Sequence, residues 1–149
     1  MPIGILLGGG NPPGLDDLRA FLEGEGFDVL GEASDGHEVV ALAVSLRPAV
    51  VILDSSMPRA SAVEAAREIL KLCPETRVML LSRRADEDQI IAAFRAGVRG
   101  YVVRADAPAT LVRAIREVTD GRFFLSPGAS RVLAQAFLPQ TVSPLPVLP

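Results

Sequence analysis

Asp54 is the first candidate for chemistry in this chain. It closes the apolar run Val50, Val51, Ile52 and Leu53, and Ser55, Ser56, Met57 and Pro58 follow it. Four such residues in a row predict a strand covered on both faces. The proline cannot continue a sheet. Asp54 is therefore expected at the carboxyl end of a central strand, where open α/β sheets place their chemistry. A carboxylate there is costly unless it is paired or put to use. A second candidate is the loop Gly8, Gly9, Gly10, Asn11, Pro12, Pro13 and Gly14. It follows an apolar strand and precedes a helical pattern, as a phosphate cradle would. Its spacing is neither G-x-G-x-x-G nor a P-loop, and its prolines remove the amide donors a phosphate needs. Arg83 and Arg84 beside Asp86, Glu87 and Asp88 read as a solvated mixed-charge loop. His37 reads as a surface histidine and Cys73 as a thiol at a helix end.

The bulk properties narrow the field. A chain of 149 residues favours one domain. It is 49% hydrophobic without tryptophan, so its core must be built from Leu, Val, Ile and Ala. A net charge of -3 gives no general attraction to nucleic acid or to anionic membranes. No apolar run is long enough to cross a bilayer, and the N-terminus lacks the basic-then-apolar pattern of a signal segment. A lone cysteine excludes an internal disulfide and fits a reducing compartment, so a cytoplasmic location is expected. Basic residues are almost all arginine; Lys71 is the only lysine.

The elements that must position Asp54 follow from periodicity and breakers. Residues 3–7 form a first strand, and residues 8–14 read as a loop. Leu15, Leu18, Phe21 and Leu22 recur at helical spacing up to about Glu25, with Gly26 as the stop. Residues 27–31 form a second strand. Ser34 or Asp35 caps a helix that buries Val39, Val40, Ala43 and Leu46 and ends at Arg47 and Pro48. Beyond the Asp54 strand, a third helix runs from about Ala62 to before Pro74. Residues 78–81 form a fourth strand, and Ile90, Ile91 and Phe94 mark a helix stopped by Gly97. Residues 100–103 form a fifth strand. Pro108 reads as the first residue of a helix carrying Leu111, Val112, Ile115 and Val118. Strand and helix alternate five times, which argues for a parallel sheet with helices on both faces. Ser126 and Pro127 read as cap and first residue of one more helix to about Leu138. Residues 139–149, rich in proline, read as a linker-like tail.

On these residues the chain resembles the CheY-like receiver domain of response regulators. The strand ending in Asp54, the Met57-Pro58 pair, Ser82 closing strand four, and the run from Ala96 to Tyr101 carry the resemblance, over residues 3–125. The run Gly31 to Gly36 and the run Gly121 to Pro127 point to the NarL/FixJ subgroup. The resemblance implies a flavodoxin-like (βα)5 α/β fold of strand order 2-1-3-4-5. It also implies a receiver over residues 1–125, a C-terminal helix over 126–138 and a tail over 139–149. The family transfers a phosphoryl group to an aspartate. On its pattern Asp54 matches the acceptor, Ser82 the hydroxyl that contacts the phosphoryl oxygens, and Tyr101 the aromatic switch. The acidic pair that holds Mg²⁺ falls on Gly9 and Gly10, and the lysine falls on Arg104.

Those departures change what the resemblance implies. Mg²⁺ wants several oxygen ligands in near-octahedral geometry, and Gly9 and Gly10 bring no side chain. Asp16 and Asp17 lie roughly 10 Å along the first helix at 1.5 Å rise per residue. Mg²⁺ binding is therefore expected to be weak or absent, and no catalytic residue is assigned. Arg104 keeps the lysine's charge as a planar fork, and Arg104 or Arg84 is expected to pair with Asp54. The expected function is a signalling and interaction module of transcription regulation, not an enzyme. It is phosphorylation-independent and acts through homodimerisation or partner binding, with a histidine kinase as a possible partner. A conventional phospho-acceptor at Asp54 and a small-ligand sensor at the space left by Gly9 and Gly10 are the alternatives. DNA binding would need a helix-turn-helix domain that this sequence does not contain.

Overall fold

The computed structural model describes residues 2–9, 12–57 and 61–137. The order is β1 (Gly4–Gly8), α1 (Pro12–Gly24), β2 (Asp28–Ala33), α2 (Gly36–Leu46), β3 (Val50–Asp54), α3 (Ala62–Leu72), β4 (Arg77–Ser82), α4 (Glu87–Arg95) and β5 (Gly100–Val103). A 3₁₀ turn (Arg104–Asp106), α5 (Leu111–Thr119), β6 (Phe124–Leu125) and α6 (Pro127–Phe137) complete it. All strand pairs are parallel, in the order β2-β1-β3-β4-β5-β6. The doubly wound α/β architecture is as the alternation predicts, with one strand more. Among the described residues, no helix is long and apolar enough to cross a membrane.

Strand alternation divides the core into two layers. Val51, Leu53, Val78, Leu80 and Tyr101 pack on one face against α2, α3 and α4, with Val39, Ala43, Ala66, Ile69, Ile90 and Ala93. Val50, Ile52, Met79, Leu81 and Val102 pack on the other against α1 and α5, with Leu22, Leu111, Ile115 and Val118. β3 is buried at all five positions, which is why it reads as an unbroken apolar run.

The cap expected for the second helix holds at α2. Asp35 accepts from the Glu38 amide at the start of α2. Ser61 and Glu64 form a reciprocal capping box at α3. Arg47 closes α2 in the left-handed conformation (φ 49°) and returns its amide to Ala43.

Four expectations are corrected. α1 begins at Pro12, inside the stretch read as loop, because the first turn of a helix needs no amide donors and tolerates proline. α5 begins at Leu111 instead of Pro108. Ala107, the residue before the proline, is extended (ψ -160°), as a residue preceding proline tends to be. Phe124 and Leu125 pair with Gly100 and Tyr101 as a sixth strand; two residues are too few for a period to show. Ser126 does not cap α6 with its side chain. Its hydroxyl accepts from the Val103 amide at 3.0 Å, and the Gly128 amide of α6 donates to Asp106 instead. The tail, residues 139–149, and Leu138 lie outside the described residues.

β1 ends in close quarters. A Cβ added to Gly8 would lie 2.9 Å from Val39 Cγ2 and 3.0 Å from Leu53 Cδ2, both branched core side chains. Gly8→Ala is expected to destabilise the fold by ~1–3 kcal/mol through overpacking. The readout is the urea midpoint, and a midpoint equal to that of the unmodified chain would contradict this packing.

Candidate functional site

The β3 register fixes where Asp54 stands. Asp54 pairs with Leu81 of β4, and Gly8 pairs with Leu53, which sets Gly9 level with Asp54 at the sheet's carboxyl end. Asp54 has the parity of Val50 and Ile52, so its side chain leaves the sheet on the α1/α5 side. There the residue following β5, Arg104, reaches it. The Arg104 Nη2 donates to Asp54 Oδ2 in a short ion pair. Asp54 Oδ1 accepts from the Ser56 amide at 2.9 Å and from the Ser56 hydroxyl at 2.8 Å. Both carboxylate oxygens are therefore engaged. The Asp54 side chain is 9% exposed and that of Arg104 39%, so the carboxylate is the more deeply placed partner.

Burial by itself raises the Asp54 pKa. The Ser56 amide, the Arg104 guanidinium and the Ser56 hydroxyl together outweigh it and hold the carboxyl below its ordinary value of 3.8.

Ser82 and Tyr101 occupy the opposite face. Ser82 has the parity of Val78 and Leu80, and Tyr101 is buried in the α2–α4 layer. The Tyr101 hydroxyl donates to Gln89 Oε1 at 2.5 Å. The Ser82 hydroxyl donates to the Arg84 carbonyl at 2.8 Å and lies 3.3 Å from the same Gln89 oxygen. Burial pushes the Tyr101 phenol up. A single side chain joins the two sets: the Ser55 hydroxyl donates to Ser82 Oγ at 3.1 Å, one residue from Asp54.

The residues singled out from sequence thus form two groups at one end of the sheet. Asp54 and Arg104 make one, Ser82 and Tyr101 the other. Arg84 enters through its backbone carbonyl, and it is Arg104 that pairs with Asp54. Gly9 is buried, and its amide donates to the Ala33 carbonyl at 2.9 Å, so it is not presented to a phosphate. Gly10 lies outside the described residues. Sequence reasoning missed Ser56 as a double donor and Gln89 as the shared acceptor. A serine two residues after an aspartate is the signature of a local Asx-type turn and could have exposed the first. Gln89, three residues past the cap Asp86, carries no such mark.

A family model for the response regulator receiver domain matches residues 11–116. The chain is 36% identical over 110 residues to the uncharacterized transcriptional regulatory protein YxjL of Bacillus subtilis, covering 73% of this chain and 50% of YxjL. It is 32% identical over 123 residues to the response regulator GacA of Pseudomonas aeruginosa, covering 82% of this chain and 58% of GacA. A crystal structure of a LuxR-family two-component response regulator from an Aurantimonas species superposes with a TM-score of 0.87. It is 28% identical, and the match covers 91% of this chain and 98% of that one. The chain belongs to the response regulator receiver domain family, whose members act in two-component signalling. It spans about half the length of curated relatives such as YxjL and GacA.

The ion pair makes stability depend on pH in one direction. A carboxyl held below its unfolded value contributes stability that is full above that value and is lost as pH falls through the folded pKa. Arg104→Met leaves the buried carboxylate with Ser56 alone and is expected to cost ~2–3 kcal/mol at neutral pH. Asp54→Asn leaves only a half-exposed guanidinium free to turn to water and is expected to cost less, ~1 kcal/mol. Both deficits should shrink below about pH 4, where the unfolded carboxyl is protonated. Urea unfolding across pH reads this, and a deficit that grows on acidification would contradict the pairing.

Proposed function

We propose that this chain is a receiver module whose state is set by protein contacts and not by a phosphoryl group on Asp54. The observation that carries the reading is the engagement of both Asp54 oxygens, one by Ser56 and one by Arg104. An acceptor must present a free carboxylate oxygen to phosphorus and share a divalent ion with it. Among the described residues no group of three or more His, Cys, Asp or Glu side chains gathers to hold a metal, and the position on β1 level with Asp54 is Gly9, which has no side chain. That donor set does not suit Mg²⁺, which calls for several hard oxygens. Losing ~4 kcal/mol of metal assistance slows phosphoryl transfer roughly a thousandfold. Arg104, where the family pattern has lysine, supplies the fixed positive charge that neutralises Asp54.

In this reading the module is not an enzyme and holds no cofactor. It works in the cytoplasm as a homodimer or bound to a signalling partner, a histidine kinase among the candidates. YxjL is named as a transcriptional regulatory protein, and the match covers half of it. DNA binding in such a protein would be carried by sequence outside the matched half.

The test is chemical. After incubation with acetyl phosphate and Mg²⁺, the intact mass of the chain is expected to be unchanged. A single phosphoryl adduct that Asp54→Asn abolishes would establish a conventional acceptor and overturn the reading.

A further inference from the structure

The 3₁₀ turn Arg104–Asp106 has two working ends. Its first residue holds Asp54. Its last residue, Asp106, reaches the other way, to the start of α6. Asp106 Oδ2 accepts from the Gly128 amide at 2.9 Å, one of the donors that a helix start leaves without an internal partner. The nearby Ser126 hydroxyl does most to hold the Asp106 carboxyl below its usual range, followed by the Gly128 amide. Ser126 is fully buried and accepts from the Val103 amide, the residue just before the turn. Gly128 lets the carboxylate come this close. A Cβ there would lie 3.1 Å from Asp106 Oδ2 and 3.4 Å from Val103 Cγ2. α6 therefore takes its N-terminal cap from the turn that carries Arg104, and not from its own flanking serine.

We propose that the Arg104–Asp106 turn is a strut that couples the Asp54–Arg104 pair to the seating of α6. Resting on the reading of Asp54 as an anchored carboxylate, this names where the anchor acts. With Arg104 held, the turn is fixed at both ends and Asp106 is aimed at Gly128. With Arg104 released, the turn keeps its backbone bonds from Ala107 and Thr110 but loses its side-chain anchor, and the cap loses part of its aim. α6 is the element that responds, because beyond its start it rests mainly on side-chain packing of Val132 and Leu133 on the α4 layer, the Ala129 contact beneath it and the Ser130 hydroxyl on the Leu125 carbonyl. Its start is also tied to β5 through the Ser126 amide on the Tyr101 carbonyl at 3.0 Å, so that loosening is confined to the helix beyond that point.

Hydrogen exchange on the full chain tests the strut, with α6 peptides read against α2 peptides to remove any global effect. Asp106→Ala is expected to speed α6 exchange about fivefold, the usual effect of losing a cap. Asp106→Asn keeps an acceptor for Gly128 and is expected to restore most of the protection. The decisive variants are remote from α6. Arg104→Met and Asp54→Ala are each expected to speed α6 exchange, and to add nothing further when combined with Asp106→Ala. α6 exchange unchanged in both, or additive with Asp106→Ala, overturns the strut and leaves Asp106 a purely local cap. The phosphodonor experiment reads the other claim separately. A phosphoryl adduct on the unmodified chain together with loosened α6 in the variants defeats the phosphorylation-independent reading and keeps the strut. No adduct with α6 unchanged does the reverse.

Discussion

A nearly buried carboxylate at the end of the central strand must be satisfied, and the site follows from how that is done. β3 is apolar on both faces because helices cover both, so Asp54 arrives at the rim of a low-dielectric layer. An isolated charge there would be neutralised or would unfold its surroundings. Ser56 supplies two hydrogen bonds from within the same turn, and Arg104 supplies the counter-charge from the turn after β5, across β4. Charge assistance makes these stronger than neutral bonds. Arginine suits the position because its guanidinium stays protonated and is weakly hydrated.

The period of two along the strands separates this pair from the rest of the site. Asp54 and Arg104 stand on the α1/α5 side, while Ser82 and Tyr101 stand toward α4 and share Gln89. Ser55, next to Asp54 in the chain but of opposite parity, donates to Ser82 on that second face. Tyr101 is fully buried with its hydroxyl satisfied by Gln89, so the α4 face is closed by internal bonds. The pair on the other face is tied through one short turn to Asp106 and α6. The same sheet end thus carries two sets of polar contacts, each serving a different helix.

Much of this is legible in the sequence where a residue type has one physical use. An apolar run that stops at Asp54, the Asp35 cap and the glycine stops all mean locally what they mean in the fold. Legibility fails where the partner is remote. Ser126 followed by Pro127 is a good local cap signal, yet its hydroxyl serves the Val103 amide and the Gly128 amide is taken by Asp106. Pro12 and Pro13 look like loop because proline usually is, but a helix start tolerates them. β6 is two residues long and exists through pairing with β5, which no local period reveals. The Asp54–Arg104 contact was reachable from the family pattern, whereas Ser56 and Gln89 depend on turn geometry and on how α4 packs.

The most direct measurement is a Mg²⁺ titration of the isotope-labelled chain, following the backbone amides of Ser55 and Ser56 and the guanidinium resonances of Arg104. With both Asp54 oxygens engaged, no saturable change is expected at those groups into the millimolar range, and the Arg104 guanidinium is expected to keep its hydrogen-bonded signature throughout. Saturable shifts at Ser55 and Ser56 with loss of the Arg104 signature would show that the metal displaces arginine from Asp54, and would contradict the anchored carboxylate.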